Sequence, residues 1–181
     1  MTSKELAFIP FRERDNHYVP LVVVLTLVLI ALLFIFGVAY RPVAVDGDSM
    51  LDTLRSGDHL LVTRTYPVPA RGDIVSVDVV VDGIPDSIVK RVAALPGDTV
   101  QVEGDVVWVN GVPATWPGVV TGSADDFHLG PFEVLPGTVY ILGDNRPVSL
   151  DSRSIGPIPV AQIRGKAIAI FSPVTRAGHI D

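Results

Sequence analysis

Ser87-Ile88-Val89-Lys90-Arg91-Val92-Ala93-Ala94-Leu95, SIVKRVAAL, is an apolar run of β character that carries two adjacent cations. Successive side chains of a strand point to opposite faces, so Lys90 shares a face with Ile88 and Val92, and Arg91 lies with Val89 on the other. An ammonium is costly to bury on an apolar face, and the usual relief is a lowered pKa that leaves a neutral amine. A neutral lysine can serve as a general base. The alternative is a Lys90 that lays its stem along the sheet and keeps its charge in water.

Runs of the same kind lie on both sides: DHLLVTRTY (58–66), GDIVSVDVVV (72–81), TVQVEG (99–104), VVWVNG (106–111), TVYILG (138–143) and IRGKAIAIFS (163–172). Gly, Pro and Asp punctuate them, which is the pattern of short strands. No stretch after Thr65 sustains a helical period, so the fold class is mainly β. VQVEGDVVWVNGVP reads as a hairpin followed by a tight Asn110-Gly111 turn. Residues 112–137, with many Gly and Pro, read as a surface excursion. Residues 50–54 read as a short helix capped by Asp48 or Ser49.

The N-terminal part is of another kind. From Tyr18 to Tyr40 there is no charge in 23 residues, and at ~1.5 Å per residue a helix of that length crosses a hydrocarbon core of about 30 Å. The small residues at Gly37-Val38-Ala39 have the small-x-small form of a cleavage site, but cleaved signals have apolar regions of only about 7–15 residues. The chain is thus expected to have a tail at 1–17, a transmembrane helix at 18–40 and a single further domain at 41–181, with the bilayer as one partner. Lys4, Arg12 and Arg14 before the helix, against Arg41 and Arg55 after it, lean slightly toward a cytoplasmic N-terminus. The absence of Cys excludes a thiol nucleophile and a thiolate metal site. A net charge of −6 with no basic run argues against nucleic acid.

Two further stretches bear on chemistry. Val45-Asp46-Gly47-Asp48-Ser49-Met50-Leu51-Asp52-Thr53-Leu54 follows the apolar helix, and GDNRPVSLDSR occupies 143–153, with polar groups between apolar flanks. Polar groups in such a place need partners. Taken in order with RGDIV (71–75), IVKRV (88–92) and LPGD (95–98), these segments resemble the conserved boxes of bacterial type I signal peptidases, in the single-anchor form of Gram-positive bacteria.

The resemblance implies an antiparallel, barrel-like β catalytic domain outside the cytoplasm and a membrane-bound serine endopeptidase acting on the signal peptides of exported preproteins, with no metal or cofactor. It implies Ser49 as nucleophile and Lys90 as its general base. Ser149 would hydrogen-bond and aim the Lys90 amine, Asp144 would pair with Arg91, and Asp151 with Arg153. The oxyanion would be held by the Ser49 N–H and a second donor at Gly47, where relatives from Gram-negative bacteria place a Ser. Val45, Met50, Leu54, Ile88 and Val89 would line shallow pockets for small substrate side chains. Asp52 stands where the family usually has Pro. Two other readings stay open: a membrane-tethered β-domain that binds a partner without catalysis, and a self-cleaving Ser/Lys peptidase akin to the SOS-response repressors. A Ser–His enzyme built on His59 or His128 lacks any Gly-x-Ser-x-Gly elbow.

Overall fold

The structure is a computed structural model that describes residues 18–66, 68–122 and 127–180. The tail at 1–17, with Lys4, Arg12 and Arg14, lies outside the described residues. The chain divides into a unit ending at Phe36 and a β unit that begins at Gly37.

Helix α1 covers Val19–Ala39, has a mean hydropathy of 3.3 and buries none of its side chains. Its one hydroxyl, on Thr26, donates to the Val22 carbonyl at 2.8 Å, so the helix leaves no side-chain donor exposed to lipid. Among the described residues it is the one helix long and apolar enough to cross a membrane.

The β unit is built from β1 (Tyr40–Ala44), β2 (His59–Thr63), β3 (Ile74–Val81), β4 (Ile84–Ala94), β5 (Thr99–Glu103) and β6 (Val106–Val109). There follow β7 (Val112–Pro113), β8 (His128–Glu133), β9 (Thr138–Leu142), β10 (Ile158–Pro159), β11 (Ile163–Ser172) and β12 (Gly178–His179). They form two antiparallel sheets. The larger has the order β1-β2-β11-β3-β4-β9-β10 with β12 beside β11, and the smaller β7-β6-β5-β8.

The hairpin of β3 and β4 positions the site. Val81 pairs with Ile84 across Asp82-Gly83, both at positive φ (51° and 81°), the two-residue turn whose twist matches that of the strands. That turn fixes a register in which Val75 faces Lys90 and Ile74 faces Arg91. The first four residues of β4 are exposed and the last five are buried, and Lys90 is where burial begins. Around it, Val45, Met50 and Leu54 from the segment after β1 pack with Leu60, Val62 and Ile74 in one apolar cluster.

Three local expectations change. The stretch at 112–137 is not simply an excursion, because β8 adds to the open edge of β5, with Phe132 opposite Val100. Pro131 is tolerated there because β8 is itself an edge. The segment 50–54 is a run of turns with one helical bond, Leu54 N–H to the Met50 carbonyl at 2.8 Å, and not a helix. Tyr40, assigned above to the helix, begins β1 and pairs with Thr63.

Because β1 completes the larger sheet, a fragment starting at Gly37 should fold with one cooperative thermal transition followed by circular dichroism. A fragment starting at Val45 strips β1 from β2, and at about 1 kcal/mol per ladder hydrogen bond it should be several kcal/mol less stable. Equal stability of the two fragments would show that β1 is not part of the folded unit.

Candidate active site

Ser49 sits on the loop between β1 and β2, closed at its base by Val45 N–H to the Asp58 carbonyl (2.8 Å) and Gly57 N–H to the Val45 carbonyl (2.9 Å). Met50 and Leu54 are 1% and 0% exposed and anchor the loop in the core. Asn145 holds it from the segment after β9: its N–H donates to the Ser49 carbonyl and its side-chain amide to the Asp48 carbonyl, each at 3.0 Å. Among the described residues nothing accepts from the Ser49 N–H.

Lys90 Nζ lies 2.7 Å from Ser49 Oγ and 3.0 Å from the Val89 carbonyl. The side chain belongs to a residue only 3% exposed. Burial lowers its pKa from 10.5 to about 8, against the opposing pull of Asp151, Asp144 and Asp86. A hydroxyl in contact with an amine that loses its proton near pH 8 can pass its own proton to that amine.

The next residue on β4 braces the strand. Arg91 makes a bidentate pair with Asp144, Nε to Oδ1 at 2.9 Å and Nη2 to Oδ2 at 2.8 Å, with both partners buried. Its Nη1 donates to the Gly72 carbonyl at 2.8 Å, and its guanidinium stacks over Trp116, 5.5 Å from the ring centre. Asp144 also accepts from Thr53 Oγ1 at 2.6 Å. The loop of Ser49 and the strand of Lys90 are therefore tied to the same carboxylate.

Asp151 is fully buried, accepts from the Gly143 N–H at 2.9 Å and pairs with Arg153 (Nε to Oδ1, 2.9 Å). Arg153 reaches on to Asp105 at 3.3 Å. Arg146, 2% exposed, donates to the carbonyls of Gly143, Ala114 and Asp105 and so ties the end of β9 to the smaller sheet. Apart from the Ser149 hydroxyl, the buried polar groups of GDNRPVSLDSR thus find partners in backbone and side chains, as burial requires.

Three positions differ from expectation. Ser149 does not bond Lys90: its Oγ is buried with no hydrogen-bond partner among the described residues, packed against Gly143. The Gly47 N–H is directed to Ser56 Oγ at 3.4 Å. Leu54 fills the core and is not among the residues that line the groove beside Ser49, whereas Met50, in the same cluster, also reaches the groove. That groove, about 330 Å³, is lined by Val45, Gly47, Met50, Ile88, Val89 and Lys90, and also by Val148 and Leu150. Thr53, Asn145 and Gly143 are contributors that the residue pattern alone did not single out, although all three lie inside the two stretches quoted for chemistry. Gly143 matters sterically: a Cβ there would overlap Ser149 and come within 2.6 Å of the Ser49 carbonyl oxygen.

A family model described as signal peptidase, peptidase S26, matches residues 17–172. Signal peptidase I of Bacillus licheniformis is 35% identical over 183 aligned residues, covering 93% of this chain and 96% of the relative. Signal peptidase I S of Bacillus subtilis (strain 168) is 34% identical over 168 residues, 84% of this chain and 86% of the relative. A solved signal peptidase I from Enterococcus faecalis V583 is 29% identical, with a TM-score of 0.46 over 56% of this chain and 98% of that one. With a match of this extent, and relatives aligned over nearly their whole length, the chain belongs to the signal peptidase family, peptidase S26.

Proposed function

We propose that this chain is a membrane-tethered serine endopeptidase that removes N-terminal signal peptides from exported preproteins, with Ser49 as nucleophile and Lys90 as general base. The observation that carries the reading is the 2.7 Å contact between Ser49 Oγ and an amine whose pKa burial has lowered to about 8. In the forward step the neutral amine takes the Ser49 proton as Oγ bonds to the scissile carbonyl carbon. The oxyanion accepts from the Ser49 N–H, and the Gly47 N–H could join it by giving up its long bond to Ser56. The Lys90 ammonium then protonates the leaving amine, and the amine so regenerated takes a proton from the water that hydrolyses the acyl ester.

The groove supports an extended substrate. β4 pairs with β3 along Ile84–Arg91 but with β9 only from Arg91 to Ala94. On the β9 side, residues 84–90 therefore offer backbone groups to which a strand can add. Val45, Met50, Ile88 and Val89 present an apolar wall of limited depth, which suits small side chains on either side of an intervening residue. Asp144 with Arg91, and Asp151 with Arg153, would act by holding the loop and the strand in place. Ser149, buried against Gly143, would aim the base only after a rotation toward Lys90.

The apolar helix and the relatives agree on membrane association. In the proposed arrangement residues 1–17 are cytoplasmic, 18–40 span the bilayer and 41–181 face outward, where an exported chain emerges. Digestion of spheroplasts by an added protease would remove the β unit if this is right, and would spare it if the domain faced the cytoplasm.

Ser49→Ala should abolish cleavage of a peptide bearing Ala-x-Ala before the cut while leaving the fold intact. Retained activity would defeat the enzyme reading and leave a binding domain. Lys90→Arg keeps the charge yet cannot give up its proton, since arginine titrates above about 12, so it too should be folded and inactive. For the parent protein the sign follows from the lowered pKa: kcat/KM should be level above pH ~8 and fall about tenfold per pH unit below it, as the amine gains its proton. A pH profile flat down to 6 would exclude Lys90 as the base. Gly143→Ala pushes a methyl group between Ser149 and the Ser49 carbonyl, so kcat should fall roughly 10- to 100-fold. An unaltered kcat would mean that the contact is not maintained in the working enzyme.

A further inference from the structure

The Ser49 loop is held on its far side by a residue from the C-terminal part of the chain. Asp58 closes the base of the loop and is 1% exposed. Its carboxylate accepts the Arg55 N–H at 2.9 Å and a bidentate approach from Arg176, Nε to Oδ1 at 2.9 Å and Nη2 to Oδ2 at 2.9 Å. The same Nη2 donates to the Thr53 carbonyl at 3.2 Å. Burial alone would raise the Asp58 pKa, but the Arg176 hydrogen bond, the Arg55 N–H and the two positive charges outweigh it and hold the carboxyl below its usual range.

Arg176 is itself fixed. It ends the 3-10 turn Val174–Arg176, where its N–H donates to the Pro173 carbonyl at 2.9 Å. Just beyond, the Ile180 N–H meets the Ile168 carbonyl at 3.2 Å, and the Ile180 side chain packs in the cluster that holds Met50 and Leu54. One planar guanidinium thus spans two points of the Ser49 loop, Thr53 and Asp58. From the opposite side the Thr53 hydroxyl is held by Asp144.

We propose that Arg176 is a positioning residue for Ser49, which it holds at bonding distance from Lys90 by clamping Thr53 and Asp58 together. The proposal rests on Ser49 being the nucleophile. Among the described residues the Arg176 side chain bonds Asp58 and Thr53 and makes no hydrogen bond to Lys90, so removing it loosens the hydroxyl and leaves the base where it is. A residue that only added stability would change the fraction folded and nothing in the chemical step. A positioning residue changes kcat of the folded enzyme.

The test is steady-state cleavage of an Ala-x-Ala peptide by the full-length chain in detergent, well below the melting temperature, with folded fraction measured alongside. Arg176→Ala should lower kcat per folded molecule about tenfold or more, with a smaller change in KM and the same acid-limb midpoint. Arg176→Lys, which keeps a cation for Asp58 but cannot reach Thr53 at the same time, should fall between alanine and parent. If the alanine variant does not fold, the lysine variant carries the test by the same loss of kcat. Parent kcat in the folded variant overturns the proposal. So does a displaced acid limb, which would mean action through Lys90. Ser49→Ala is run in parallel: if it is inactive, a parent-like Arg176 variant sinks only the clamp, whereas an active Ser49→Ala sinks the nucleophile and the clamp together.

Discussion

The contact between the Lys90 amine and the Ser49 hydroxyl sets the demands that the rest of the β unit meets. For the amine to be neutral it must be buried, yet the segments that enclose it bring three carboxylates near it, and each of these favours the ammonium. Burial prevails over all three; the two with the larger pull, Asp151 and Asp144, are themselves paired with Arg153 and Arg91. An unpaired aspartate in either place would pull the lysine back toward its ordinary pKa.

The arrangement opposes stability. A lysine that titrates at about 8 folded and 10.5 unfolded destabilises the folded state by on the order of 3 kcal/mol, at about 1.36 kcal/mol per pH unit. The sign is that of a lowered lysine pKa: the penalty is full below pH ~8 and is relieved as the pH rises toward 10.5. Neighbouring polar bonds help to hold the strained arrangement. Arg91 locks β4 to Asp144, Thr53 locks the Ser49 loop to the same carboxylate, and Asn145 bonds the loop backbone directly. Because positions 90 and 91 point to opposite faces of one strand, the Lys90 amine and the Arg91 guanidinium share a backbone yet lie on different sides of it.

The β character, the apolar helix and the Ser49–Lys90 pairing were legible because each rests on local pattern or on ordered motifs. Alternation marked Lys90 as out of place on an apolar face, and the structure places the residue where β4 passes from exposed to buried. Less legible were contacts set by tertiary packing. β8 carries Gly130 and Pro131 and reads as a loop until the open edge of β5 is known. The Asp82-Gly83 hairpin is readable from its dipeptide, as Asn110-Gly111 is, and it fixes the register of the strand that carries Lys90. Leu54 belongs to the right stretch but fills the core and does not line the groove, a matter of packing that the stretch itself does not encode. The orientation of the Ser149 hydroxyl is likewise a rotamer, which spacing along the chain does not encode.

The central claim is that burial lowers the Lys90 pKa to about 8, so that an appreciable fraction of the amine is neutral near physiological pH. The chain has three lysines, and a fragment from Gly37 retains only Lys90 and Lys166. Lysine side-chain NMR of that fragment, labelled at Cε and titrated from pH 6 to 11, reads the claim directly, with Lys90→Arg assigning the resonance. The account predicts a Lys90 midpoint at about 8. A midpoint at the ordinary lysine value of ~10.4 would contradict it, because the amine would then be an ammonium at the pH where the enzyme must work.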